Sequence, residues 1–502
     1  MSKPFYITTT LPYVNAEPHI GHALEFVRAD SIARWKKLCG FEVFFNTGTD
    51  EHGLKIYNKA KEQGIDPQAY VDQAASKFKE ILPILGISPD VKFVRTTDTH
   101  HIKAAQEFWR LVDKNGYIYK KNYSVKYCVG CELEKTESEL VDGKCPLHPT
   151  QGLELIQEEN YFFKFSAFSQ KLLDLYKRGG DVTGDVRLSF VIPESRQKEI
   201  RTFVERGPED FSVSRLKSKM PWGIPVPGDE AQVMYVWFDA LVNYVSTIGW
   251  PDDVVEGKSV PGSFKKWCVD TGGMVQYCGK DNLRQQSAMW QAMLMAAGLP
   301  SSKTVIIDGF ATGDGGIKMS KSLGNTVDPV ALAKEFGTDA MRYYCLRELH
   351  PFEDTACSAD RFKDAYNAGL ANGLGNLVSR VMKMVETNEI SIDAAQTEND
   401  VSPISTDYQN GLSEYNLKKS MDAIWNTIAE SDKIIQEKQP FKLMKSTEAT
   451  EKAEGKACIQ NLLKNVRSIG VALQPFMPAT AKTILGCVTS GKMPAQPLFL
   501  RK

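Results

Sequence analysis

Near the N-terminus, a mostly apolar run from Phe5 to Thr10 is followed by a proline-containing turn, Leu11 to Pro18, and then by His19 to Leu38. In that last stretch Ile20, Leu24, Val27 and Leu38 fall largely on one helical face, and Gly40 ends it. Phe41 to Phe45 gives a second apolar, aromatic-rich run. Strand, helix and strand in this order predict a βαβ crossover and hence a parallel sheet. Strand-like sequence returns around Met234 to Trp237 and Val275 to Gly279, and again at Thr304 to Ile307. After about residue 366 the pattern changes to helical spacing. Leu417, Met421, Ile424, Ile428 and Ile435 recur at such intervals, as do Leu462, Val466, Ile469 and Leu473. Polar, helix-poor connections are expected near 391–406 and 446–456. The fold class is therefore α/β in the first two thirds and a helical bundle in the last.

Two short sequences stand where such a sheet would bind phosphate. His19-Ile20-Gly21-His22 opens the first helix, so His19 and His22 share a face of its first turn. The free N–H groups and positive dipole end of a helix that follows a strand attract anions. Gly21 lets a bulky nucleotide approach the backbone. Lys318-Met319-Ser320-Lys321-Ser322 follows the glycine-rich stretch Gly309 to Gly316, which predicts a mobile lid. Two ammonium groups closing over a triphosphate can balance charge as pyrophosphate leaves.

The cysteines add a second chemistry. Cys128, Cys131, Cys145 and His148 form C-x2-C-x13-C-x2-H, with Gly130 inside the first pair, Gly143 before the second and Pro146 inside it. Paired knuckles of this spacing converge on one structural zinc, and four protein ligands leave no open position for water. Seven other cysteines show no ligand spacing. A chain that enters a strand within five residues leaves no room for a signal peptide, so a reducing, cytoplasmic setting is expected. No stretch approaches the ~20 apolar residues of a membrane span. With 502 residues there is length for about three domains. A formal net charge of −1 means that any nucleic-acid contact must use local basic patches.

Taken with Thr10-Leu11-Pro12-Tyr13, Gly48-Thr49-Asp50-Glu51-His52-Gly53, Tyr235-Val236-Trp237-Phe238-Asp239-Ala240, Gly279-Lys280-Asp281 and Lys318 to Asn325, these motifs resemble the class I aminoacyl-tRNA synthetases. Within that class they resemble the methionyl-tRNA synthetase family, over essentially the whole chain. The resemblance implies a Rossmann-type parallel-sheet catalytic domain at 1–115 and 223–310, interrupted by a connective zinc-knuckle insertion at 116–222. It further implies a loop and stem-contact region at 311–365 and a helical anticodon-binding domain at 366–502. The implied activity is ATP-dependent formation of methionyl-adenylate and transfer of methionine to tRNA(Met). Zinc would be structural and magnesium would accompany ATP.

Carried over residue by residue, the resemblance makes His19, His22, Lys318 and Lys321 catalytic. Gly21, Glu25, Gly279, Asp281, Met319 and Ser320 are implied at ATP. Thr10, Leu11, Tyr13, Asp50, Trp237, Ala240, Leu241, Tyr244 and Gln286 are implied at methionine, with Asp50 meeting the α-ammonium. An aromatic pocket suits a polarizable thioether. Gln286 stands where the family commonly has histidine, and a surface glutamine is the plainer reading. For Asp50 the plainer reading is a helix cap, and for Gly279-Lys280-Asp281 a structural turn. Asn376, Arg380 and Phe441 are implied at the anticodon, Phe441 standing where tryptophan is often found; the plainer readings are core packing for Phe441 and helix capping or surface pairing for Asn376 and Arg380. Two other functions fit parts of this pattern. A small-molecule nucleotidyltransferase would not need the helical third, and a non-catalytic tRNA-binding paralogue would be expected to lose signature lysines or histidines.

Overall fold

The computed structural model describes residues 2–131, 133–135, 139–183, 186–252, 264–316, 327–391 and 404–502. The first strand, β1 (Pro4–Thr9), is followed by α1 (Ile20–Leu38), β2 (Glu42–Thr49) and α2 (Leu54–Gln63). Next come α3 (Pro67–Ile84), β3 (Lys92–Arg95) and α4 (Thr99–Lys114). An antiparallel hairpin, β4 (Ile118–Cys128) and β6 (Glu154–Phe163), carries between its arms a short strand, β5 (Leu133–Lys135). Three further strands complete the main sheet: β7 (Val191–Ile192), β8 (Val275–Gly279) and β9 (Thr304–Asp308). Its order is β3-β2-β1-β8-β9-β7, and every pairing is parallel.

Alternation along the strands divides the core between the two faces. From β1, Phe5 and Ile7 enter a cluster with α1 and α3, while Tyr6 enters the opposite cluster with Phe108 and Trp109 of α4. In β9, Ile306 joins the first cluster and Val305 and Ile307 the second. Strand order reverses between β2-β1 and β8-β9, so a crevice opens beyond the carboxyl ends of β1 and β8, the usual ligand position in open α/β sheets.

The parallel sheet and the βαβ start agree with the sequence, with two shifts: His19 caps α1 rather than opening it, and the strand-like stretch expected at Met234–Trp237 ends at Met234, where a helix from Val236 follows. The range 116–222 holds more than an inserted hairpin, since β7 inside it pairs with β9 and forms the sheet's edge. A two-residue strand has no periodicity to read. The stretch 446–456, expected to be helix-poor, is largely helical, because the helix Ala449–Leu473 begins within it. Its first turns, rich in Ala, Glu and Lys, are good helix formers despite being mostly exposed. Most of the connection 391–406 lies outside the described residues.

The helical third contains Asn376–Thr387, Leu417–Lys438, Ala449–Leu473 and Pro478–Ser490. It shares a continuous core with α1. Arg342, fully buried, ties the two parts: it pairs with Asp30 of α1 at 2.8 Å and donates to the Phe476 carbonyl at 2.6 Å.

Candidate active site and metal centre

At the start of α1 two imidazoles replace the usual hydroxyl or carboxylate caps. His19 Nδ1 accepts the Gly21 N–H at 3.1 Å, and His22 Nδ1 accepts the His19 N–H at 3.2 Å. The rings stack with centroids 3.7 Å apart. Because each Nδ1 accepts, a neutral ring carries its proton on Nε2. Burial, and then the neighbouring His19, hold the His22 pKa well below the usual histidine value. His22 is therefore a neutral hydrogen-bond donor near neutral pH rather than a cation. A Cβ on Gly21 would stand only 3.0 Å from the His19 ring, so the close turn favours glycine.

Opposite these rings, β8 ends at Gly279 and continues into a single turn at Lys280–Asn282. Glu25 of α1 accepts the Gly279 N–H at 3.0 Å, which fastens the helix to the strand end across the crevice. Burial, then Asp281 and Asp308, push the Glu25 carboxyl well above its usual range. Gly279-Lys280-Asp281 is thus a structural turn and also lies at the mouth of the crevice, leaving Asp281 exposed. Beneath it, Arg28 and Asp308 form a buried ion pair, and Arg28 also donates to the carbonyls of Cys345 at 3.1 Å and Leu349 at 2.6 Å. This brace at the end of β9 has no sequence signal, since its partners are far apart in the chain.

Asp50 directly follows β2 and is 6% exposed. Its N–H donates to Pro12 at 2.9 Å and its carbonyl accepts from Val14 at 3.1 Å, drawing the Leu11–Tyr13 loop beside it. It caps no helix: the next helix, α2, is preceded by Gly53 and has no side-chain cap. Trp237, Ala240, Leu241 and Tyr244 lie on two successive short helices, Val236–Leu241 and Asn243–Ser246. Tyr244 meets Trp290 with ring centroids 5.8 Å apart. Gln286 is only 1% exposed, so the surface reading is set aside. Short loops bring Leu11, Tyr13 and Asp50 together beyond β1 and β2, while the Thr10 N–H donates to the Tyr277 carbonyl of β8 at 3.1 Å. Lys318, Met319, Ser320 and Lys321 lie outside the described residues.

Between β4 and β6 the four knuckle residues converge. Their ligand atoms all lie within 4.8 Å of one another. Cys131 Sγ is 3.4 Å from Cys145 Sγ and 3.2 Å from His148 Nδ1. Two matching turns build this, with Cys131 N–H on the Cys128 carbonyl and His148 N–H on the Cys145 carbonyl. A Cβ on Gly130 would lie 2.4 Å from the His148 ring, so the knuckle closes only around glycine. These four residues form a possible metal site. The remaining seven cysteines are free, with Cys39 alone exposed. Lys55 of α2 donates to the Gly130 carbonyl at 2.5 Å, so the knuckle is fixed beside the catalytic sheet.

In the helical third, Asn376 lies within a continuous helical run that passes from Tyr366–Gly375 into Asn376–Thr387, and Arg380 pairs with Asp432 at 2.9 Å. Gln439 takes a left-handed conformation, φ 44°, at the end of the long helix. Pro440 starts a new turn there, and Phe441 is left 41% exposed.

The family model "tRNA synthetases class I (M)" matches residues 5–152 and 148–382. The methionine–tRNA ligase of Clostridium acetobutylicum is 39% identical over 96% of this chain and 73% of its own length. The chain belongs to the class I methionyl-tRNA synthetase family. Within that family the enzyme of Thermosynechococcus vestitus is 38% identical over 97% of this chain and 90% of its own. Among solved structures, Mycobacterium tuberculosis methionyl-tRNA synthetase bound by methionyl-adenylate is similar with a TM-score of 0.87 at 34% identity. That likeness covers 99% of this chain and all of that one. No helix among the described residues is long and apolar enough to cross a membrane.

Proposed function

We propose that this chain activates L-methionine with ATP, giving methionyl-adenylate and pyrophosphate, and then esterifies tRNA(Met). The observation that carries the reading is the meeting of the His19–His22 helix start and the Gly279–Asp281 turn across the crevice between β1 and β8. Phosphate would lie against the Nε2–H donors and the helix N-terminus, and ribose hydroxyls would donate to Asp281. Asp50 would receive the α-ammonium, which orients the methionine carboxylate toward the α-phosphate. That carboxylate attacks phosphorus, and pyrophosphate leaves as Lys318 and Lys321 balance its charge. In the second step the terminal ribose hydroxyl of tRNA attacks the activated carbonyl and AMP departs. No covalent enzyme intermediate is needed, so catalysis is by positioning and charge stabilisation. ATP brings magnesium with it. The test is ATP–pyrophosphate exchange that requires methionine, followed by charging of tRNA(Met). Exchange driven equally by unrelated acids would sink the assignment.

Three cysteines and one histidine at this separation fit a structural zinc, for which tetrahedral coordination with metal–sulfur distances of about 2.3 Å is usual. Purified protein is expected to carry one zinc per chain. Cys145→Ser should lose it and destabilise the β4–β6 tip while the parallel sheet still forms. Elemental analysis and thermal melts read both, and a metal-free, fully stable wild type would remove zinc from the account.

Anticodon reading is assigned to Asn376, Arg380 and Phe441. Phe441→Ala should cost about 1–3 kcal/mol in tRNA charging, the usual worth of one stacked base. ATP–pyrophosphate exchange should be unchanged. Equal losses in both assays would make Phe441 a packing residue instead.

A further inference from the structure

Behind the wall formed by Gln286 and Tyr244 lie three buried polar side chains that the reaction above does not use: Gln276 of β8, Gln291 and Ser302. Each of these, like Gln286, is no more than 1% exposed. The Gln291 amide is held at both ends by main chain. Its Oε1 accepts the Ser302 N–H at 2.9 Å, and its Nε2 donates to the Gln286 carbonyl at 2.8 Å. A main-chain N–H only donates and a carbonyl only accepts, so this amide has a single orientation.

That orientation propagates. The second Gln291 N–H faces the Ser302 hydroxyl at 3.0 Å and, more distantly, Gln276 Oε1 at 3.3 Å, and the Ser302 hydroxyl in turn donates to Gln276 Oε1 at 2.6 Å. With its oxygen so engaged, Gln276 turns its Nε2 the other way, onto Gln286 Oε1 at 2.6 Å. Gln286 is then left with its N–H groups. Its Nε2 is buried and makes no hydrogen bond among the described residues. It belongs to the wall of the Tyr244 phenol, against which the amides of both Gln286 and Gln276 act.

We propose that Gln276 and Gln291 are positioning residues that fix the Gln286 amide with its donor end toward the methionine side-chain pocket. The pocket then selects a thioether, which accepts a hydrogen bond weakly, over a hydrocarbon of the same length, which accepts none. This rests on the reading of Trp237, Ala240, Leu241 and Tyr244 as that pocket. Polarity is set by two main-chain groups and handed through three amides, so a residue that touches no substrate decides which end of Gln286 is presented.

The experiment compares methionine with norleucine, in which a methylene replaces the sulfur, by ATP–pyrophosphate exchange on the full chain at pH 8. Gln276→Met keeps volume but removes both hydrogen-bonding ends. It should lower the methionine-to-norleucine ratio of kcat/KM by about three- to tenfold, the worth of one hydrogen bond. The change should fall in the KM for methionine, with norleucine and ATP unaffected. Gln276→His, neutral at pH 8, retains one donor and one acceptor and should restore most of the ratio. Gln291→Met asks the same question one amide further back and serves if the first variant does not fold. An unchanged ratio, a parallel rise in both amino-acid KM values, or a histidine variant as impaired as Gln276→Met would each overturn the proposal. A wild type without methionine-dependent exchange would instead defeat the function on which it rests.

Discussion

Replacing Lys321 by alanine will slow methionyl-adenylate formation by roughly 10²–10³-fold, the usual effect of losing one preorganised donor aimed at developing charge. Before the reaction, charge on ATP is spread over three phosphates and shared with its counterion. As the bond to the α-phosphorus breaks, negative charge grows on pyrophosphate, and a lysine that meets it at that moment stabilises the transition state more than the bound substrates. Methionine should therefore bind Lys321→Ala as tightly as wild type by equilibrium titration. Single-turnover adenylate formation supplies the rate, and a mutant rate within a few-fold of wild type would take Lys321 out of the reaction. His22, kept neutral by burial and the neighbouring His19, is expected to act with His19 on the same phosphates without contributing a full charge itself.

Asp50→Asn should raise the methionine concentration needed for half-maximal exchange by about thirtyfold or more. Removing one member of a buried charge pair costs about 2–5 kcal/mol, because the remaining charge is left desolvated. Asparagine has nearly the same shape, and the main-chain bonds from Asp50 to Pro12 and Val14 do not involve its side chain, so the loop should hold. The ATP requirement should be nearly unaltered. A matched rise for both substrates would mean that Asp50 maintains the crevice rather than the ammonium contact.

Where partners lie close in the sequence, their meeting in space was legible in advance. The His19–His22 pair and each half of the C-x2-C, C-x2-H knuckle are set by residues within a few positions of one another, and the first βαβ unit by consecutive elements. Asp50 and Gln286 were more ambiguous, because a cap and a surface glutamine are ordinary roles for those residue types. The uncapped start of α2 sets aside the cap at Asp50, and burial, which is a property of distant neighbours, sets aside the surface role of Gln286. Strand β7 escaped because two residues show no alternation, and the helix start at Ala449 because its exposed, polar first turns show no apolar stripe. The amides of Gln276 and Gln291 could not have been singled out at all. Glutamine in a strand or helix announces nothing until its partners are in place, and the Arg28–Asp308 brace is hidden for the same reason.

The position of β1 between β2 and β8 has a consequence for how the chain is made. One edge of β1 is satisfied almost at once, by a strand that begins at Glu42. The other edge must wait for Val275 to leave the ribosome. At about 5–20 residues per second that delay is roughly 13–50 s. Throughout it the nascent chain carries an unpaired, apolar parallel edge, which invites wrong partners. The hairpin, the knuckle and the short helices around Trp237 are all synthesised in this interval. Ribosome-bound chains ending before β8 should accordingly depend on chaperone cover and be easily cleaved by protease, and those extending past Asp308 should resist it.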